Sequence, residues 1–182
     1  MKLVEEEKRA FYRETISSVT QGKLQIVSAE EVQPYMDRAD IRLTVDTAAD
    51  ASTARHDIEE YCARIGLSGD ELSLYITGLG EAITNATKHA PSGTVFAGSI
   101  AGEVWAGVND NGPGISTLTL PKATLLRGYS TKVSMGMGYS IMLEVSDQVM
   151  LATGPSGTTV VLIKRLTGVE PALSLEDLAD TW

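Results

Sequence analysis

Leu72, Ile76, Leu79, Ile83 and Ala86 recur at helical spacing and draw one apolar stripe down a helix that begins after Gly69-Asp70 and ends before the Pro91-Ser92-Gly93 turn. At about 100° per residue, Glu81, Asn85 and His89 fall together on a different face, roughly opposite. One face therefore belongs to a core, and the other presents a carboxylate, an amide and an imidazole one turn apart. Asp70 is the expected N-cap. Gly78 falls on the polar face one turn before Ala82, where it costs helix propensity, and the loss reads as room for something to approach. Taken alone, Glu81 and Asn85 read as the solvated side of a half-buried helix.

A core of the size this helix demands is within reach of 182 residues, which suffice for one domain. Apolar content of 43% and charged content of 21% are those of a soluble globular chain. The net charge of −9 and the lack of any Lys/Arg cluster argue against a nucleic-acid surface. The single cysteine, Cys62, excludes an intrachain disulfide and reads as a reduced core residue. His56, His89 and Cys62 are too scattered to predict a zinc site. The start, Met1 to Glu7, shows no apolar signal region, and no run approaches membrane-spanning length, so no membrane association and a cytoplasmic location are expected.

Read in order, residues 4–19 form a helix stopped by Gln21-Gly22, Leu24 to Val27 a short strand, and Glu30 to Asp37 a helical turn with Pro34 near its start. These first forty residues are expected to be an α/β extension, 1–40, of unassigned role. Ile41 to Val45 alternates as a half-buried strand, Asp46 to Ser52 is polar, and a helix follows to Ile65 with Gly66 as its stop. Thr94 to Ile100 and Glu103 to Val108 are a hairpin pair. Residues 116–135, Thr/Ser-rich with a short helical piece around Leu118 to Leu126, read as a lid or binding loop. A helix from Tyr139 to Val145, strands at Gln148 to Ala152 and Thr158 to Lys164, and an acidic tail, 167–182, with a short helix at Ser174 to Ala179, complete the chain. About four helices against a mixed sheet make a two-layer α/β sandwich of α+β character.

Three short motifs are weak singly. Asp110-Asn111-Gly112-Pro113-Gly114 alone is a tight strand exit, and Gly157-Thr158-Thr159 a hairpin exit. Gly136-Met137-Gly138 at a helix start lets backbone N–H groups converge on an anion. Their order is what informs: a helix with Glu-x-x-x-Asn, a strand ending in Asp-x-Gly-x-Gly, a long loop, a Gly-x-Gly helix start and a late Gly-Thr.

That set, spanning residues 41–166, resembles the GHKL ATPase superfamily, whose sheet is covered by helices on one face. Within it the likeness is to the anti-sigma-factor serine/threonine kinases and their switch-kinase relatives. Leu79 to Ala86 looks like their N-box, Asp110 to Ile115 like their adenine motif, and Gly136 to Met142 like their phosphate-side glycine motif. The Rossmann and P-loop fingerprints are absent. The resemblance implies ATP and Mg²⁺ as cofactors. Asp110 would accept a hydrogen bond from the adenine amino group, with Gly112, Gly114 and Ile115 passing close to the base. Asn85 would be the Mg²⁺ ligand and Glu81 the general base toward a partner hydroxyl. Gly136, Met137 and Gly138 would serve the phosphates, Thr158 or Thr159 the adenine, and Lys132 or Arg127 the phosphate charge.

The implied function is that of a protein kinase regulating a sigma factor or stress-signalling complex by phosphorylating a STAS-type antagonist, with a homodimer allowed by exposed apolar residues near the N-terminus. One departure is that Val133-Ser134-Met135 stands where the anti-sigma kinases tend to carry an arginine. Three other readings stay open: a nucleotide-gated interaction module with little phosphotransfer, a histidine-kinase ATP-binding domain, and a structural domain that binds no nucleotide.

Overall fold

The computed structural model describes residues 2–125 and 138–167. The element order is α1 (Lys2–Val19), β1 (Leu24–Val27), α2 (Ala29–Asp37), β2 (Ile41–Val45), α3 (Ala48–Ile65), α4 (Gly69–His89), β3 (Gly93–Ile100), β4 (Glu103–Asp110), α5 (Leu120–Leu125), α6 (Gly138–Val145), β5 (Gln148–Gly154) and β6 (Gly157–Arg165). The six strands form one mixed sheet in the order β1-β5-β6-β4-β3-β2, so the expected α+β sandwich is present. Two hairpins, β3–β4 and β5–β6, are joined antiparallel through β4 and β6. The edge strand β1 runs parallel to β5, pairing Leu24 with Val149 and Val27 with Ala152, so the first forty residues share the sheet of the rest.

Strand alternation divides the core. Val95, Ala97, Val104, Ala106, Val149, Leu151, Val160 and Leu162 face α1, α3, α4 and α6 and form the larger cluster. Phe96, Trp105, Met150, Val161 and Ile163 point the other way and meet Val32 and Tyr35 of α2, so one short helix lies on the second face. Trp105 Nε1 donates to the Tyr35 carbonyl at 3.0 Å, and the two rings meet edge to face at 5.6 Å.

Local chemistry sets the helix ends. A capping box on α2 joins Ser28 and Glu31, and one on α3 joins Thr47 and Asp50, which starts α3 at Ala48 within the stretch expected to be polar loop. The N-cap position of α4 is Ser68, not Asp70, and Asp70 contributes its charge to the first turn. Pro34 lies in the interior of α2 rather than near its start. Six helices are present among the described residues, against the four expected. The short helical piece expected within 116–135 is α5, with Leu120 fully buried and Leu118 64% exposed. Residues 126–137 and the tail helix expected at 174–179 lie outside the described residues.

Helix α4 is the spine, and its polar face is not solvent-facing where Gly78 stands. Gly78 is buried, and a Cβ there would lie 2.5 Å from Val145 Cγ2 and 3.3 Å from Leu162 Cδ2. What approaches Gly78 is α6. Tyr75, fully buried one turn earlier, donates its hydroxyl to the Leu162 carbonyl at 2.7 Å and fixes α4 on the sheet. Lys23 donates to the Leu143 carbonyl and places a cation at the C-terminal end of α6. Gly78→Ala is therefore expected to destabilise the fold by about 1–2 kcal/mol, overpacking against Val145 outweighing the gain in helix propensity. In a Val145→Ala background the same change should become neutral or stabilising. Denaturant unfolding of the two singles and the double checks this reversal of sign.

Candidate functional site

The second half of α4 carries the site. Leu79, Ala82, Ile83 and Ala86 anchor it in the core, which leaves Glu81 and Asn85 half-buried on the side that faces α6. Gly138, the first residue of α6, sits over both. A Cβ at Gly138 would lie 3.3 Å from Asn85 Nδ2 and 3.4 Å from Glu81 Oε2. The absence of a side chain at Gly138 thus lets the N-terminal end of α6 approach a carboxylate and an amide one helical turn apart.

The end of β4 meets the same helix one turn further on. Asp110 is paired in register with Gly93 on one side and Thr158 on the other. Its Oδ1 accepts from the Gly112 N–H at 2.8 Å and from the Thr158 N–H at 3.3 Å. Both bonds use Oδ1, and Oδ2 accepts none from the described residues. Burial holds the Asp110 carboxyl above the ordinary carboxylate range, against the opposing pull of the two backbone bonds and of the neighbouring His89. The Tyr139 phenol, next to Gly138, is pushed up by burial and by the Asp110 carboxylate, so α6 and Asp110 share one electrostatic neighbourhood.

Glycines permit the close approaches here. A Cβ on Gly112 would lie 2.9 Å from the His89 carbonyl and 3.0 Å from Asp110 Oδ1. Gly114, at φ +72, leaves no space for a side chain against the Gly154 carbonyl. Gly157, at φ +142, is pressed as closely to the Asp110 carbonyl. Beyond Gly114 the Ile115 N–H donates to Thr153 Oγ1 at 2.8 Å, and Thr153 Oγ1 lies 3.0 Å from Thr158 Oγ1. The side chains of Thr158 and Thr159 point to opposite faces. Thr159 Oγ1 accepts from Asn109 Nδ2 at 2.7 Å, which leaves Thr158 as the one beside Asp110.

Residues 44–164 match the family described as Histidine kinase-like ATPase domain. The chain belongs to this family. Among curated proteins it is similar to the anti-sigma F factor of Anoxybacillus flavithermus, 33% identical over 123 residues, covering 64% of this chain and 84% of the relative. The anti-sigma F factor of Halalkalibacterium halodurans is 34% identical over 126 residues, with the same two coverages of 64% and 84%. Among solved structures, the RsbU and RsbW domains of a Mycobacterium tuberculosis protein align with a TM-score of 0.46 and 21% identity, over 72% of this chain and 34% of that one.

ATP binding is the property this histidine kinase-like ATPase domain implies, and the donor set fits it. Asp110 offers a carboxylate oxygen that no described residue uses, beside Gly112 and Gly114, where a side chain would collide with the backbone of His89 and Gly154. Asn85 offers an amide oxygen of the hard type that Mg²⁺ takes while keeping most of its waters. No group of three or more His, Cys, Asp or Glu side chains able to hold a metal occurs among the described residues. Glu81 and Asn85 lie beside Gly138, Asp110 lies beside Gly112 and Thr158, and Gly114 and Ile115 are held against β5 at Gly154 and Thr153. Lys132, Gly136 and Met137, with Arg127, lie outside the described residues. Thr153, Gly157 and Tyr139 are site neighbours that sequence reasoning did not assign. The motif order signalled Gly157 only as a turn, and nothing in the sequence distinguished Thr153 from any strand threonine.

Proposed function

We propose that the chain is an ATP- and Mg²⁺-dependent serine/threonine protein kinase that regulates a sigma factor or stress-signalling complex by phosphorylating a STAS-type antagonist protein. The juxtaposition of Glu81, Asn85 and Gly138 carries the reading, and the likeness to proteins named anti-sigma F factor supports it. Asp110 binds the adenine amino group through Oδ2, with its other oxygen held by Gly112 and Thr158. Asn85 would hold Mg²⁺, which would supply charge neutralisation at the phosphates, and the N–H groups at the start of α6 would face the same charge. Glu81 takes the proton of the partner hydroxyl as its oxygen attacks the γ-phosphorus and ADP leaves. A carboxylate is what distinguishes this site from one that merely binds, because hydrogen bonding and metal ligation are within the capacity of Asn85 alone.

The experiment mixes the protein and Mg²⁺ with ATP labelled on the γ-phosphate and each STAS-domain protein of its host. Label on a partner serine or threonine, absent with Glu81→Ala, is the expected result. ATP binding without label on any partner overturns the kinase reading. It leaves the nucleotide-gated interaction module, which the Val133-Ser134-Met135 departure at the place of the relatives' arginine favours.

A further inference from the structure

The Asp110 end of the candidate site is tied to a helix that lies outside the segment matching the ATPase family, residues 44–164. In α1, Arg9, Tyr12 and Ile16 follow one another at spacings of three and four and so share a face. Ile16 is fully buried, and Tyr12 packs against the same core. The Arg9 guanidinium donates to the Thr153 carbonyl, one residue past Ala152, the last residue of β5 that β1 pairs. Thr153 is itself buried, and its hydroxyl accepts from the Ile115 N–H and meets Thr158 Oγ1. Thr158 in turn donates its N–H to Asp110. Hydrogen bonds to the Thr153 carbonyl, between the Thr153 and Thr158 hydroxyls, and from the Thr158 N–H therefore link Arg9 residue by residue to the carboxylate assigned to the adenine.

We propose that Arg9 is a positioning residue for the nucleotide site, holding Thr153 so that Ile115, Thr158 and Asp110 keep the spacing the base requires. The inference rests on the nucleotide-binding part of the function proposed above and not on phosphotransfer. Arg9 acts through Thr153 and touches neither phosphate nor base, so its effect belongs to the base and is blind to the number of phosphates. By thermodynamic reciprocity, nucleotide at the site also holds α1 more firmly against the sheet.

The test titrates ATP and ADP, each with Mg²⁺, into the full chain and into Arg9→Met and Arg9→Lys, at a temperature well below the unfolding midpoint of each. Arg9→Met should weaken both nucleotides by the same factor, about three- to tenfold, the effect of one hydrogen bond lost at second hand. Arg9→Lys, which keeps a charged donor on a flexible stem, should recover part of the loss. A purely structural role would lower the unfolding midpoint and leave both affinities unchanged, and that result overturns the proposal. Loss confined to ATP overturns it as well, because it would place Arg9 at the terminal phosphate. If the unsubstituted chain binds neither nucleotide, the functional reading falls first and this inference with it. If it binds both and Arg9→Met binds them equally well, the inference alone falls. Arg9→Gln, with a neutral donor on a shorter stem, provides the same comparison if the Met variant is too unstable to titrate.

Discussion

Glu81→Gln should lower phosphotransfer to the partner hydroxyl by about 10²–10⁴-fold while changing ATP affinity by less than about threefold. The substitution isolates the proton from everything else Glu81 does. Gln has the same shape and nearly the same helix propensity, so α4 keeps its length and its core face. It still fills the space under Gly138 and still accepts hydrogen bonds there. What it lacks is the capacity to take a proton from a serine or threonine hydroxyl. Asn85, one turn on, is untouched, so the metal and the phosphates should be held as before. Single-turnover transfer of labelled phosphate measures the chemical step, and a nucleotide titration measures binding. Transfer that survives in Glu81→Gln with ATP bound would remove Glu81 from the base role. Loss of binding and transfer together would make it a binding residue instead.

The fold was legible wherever a period of two or 3.6 ran long enough. The long helix was readable from its apolar stripe and β2 from its alternation, whereas β3 to β6, buried on both faces, were readable as short apolar runs bounded by turn residues. What failed was local or distant. The start of α3 was hidden because Thr47 and Asp50 look like loop residues until their side chains are seen to bond each other's backbone. Gly78 read as room for something to approach, and what approaches is Val145 of α6, far along the chain. Sequence spacing identifies a face without identifying what covers it. The site divides in the same way. Glu81, Asn85 and Asp110 could be singled out as candidates because their motifs come in a distinctive order. Thr153 was not, because its role exists only through the β5–β6 register, which brings it opposite Thr158. Nor was the tie from α1, because β1 joins the sheet beside β5, from the far end of the chain.

The second large effect belongs to Asp110, whose replacement should weaken affinity without lowering stability. Asp110→Asn is expected to weaken ATP binding by about 10- to 100-fold, the scale of a lost hydrogen bond to a charged group. Oδ1 already accepts two backbone N–H bonds, and the adenine amino group needs the other oxygen. Asn has one oxygen and one NH₂. If the oxygen stays with Gly112 and Thr158, the NH₂ faces another donor, and if it turns to the base, two backbone N–H groups lose their acceptor. The nucleotide-free protein should not suffer. Burial raises the Asp110 pKa, so between the ordinary carboxylate value and the raised one the folded state binds more protons than the unfolded state. Stability from this group is therefore gained as the pH falls through that window and lost as it rises, and at neutral pH the charge is a net liability. Removing it should leave the unfolding midpoint unchanged or higher. Affinity has the opposite dependence: ATP binding to the unsubstituted chain should weaken as the pH falls toward the raised value, because the protonated carboxyl has lost an acceptor. Asp110→Asn should lack that slope. Titrations and thermal unfolding of both proteins across the acidic range check both signs at once. A lower midpoint in Asp110→Asn would mean that the carboxylate holds the β4–β6 junction together, and equal ATP affinity in the two proteins would remove Asp110 from the base site.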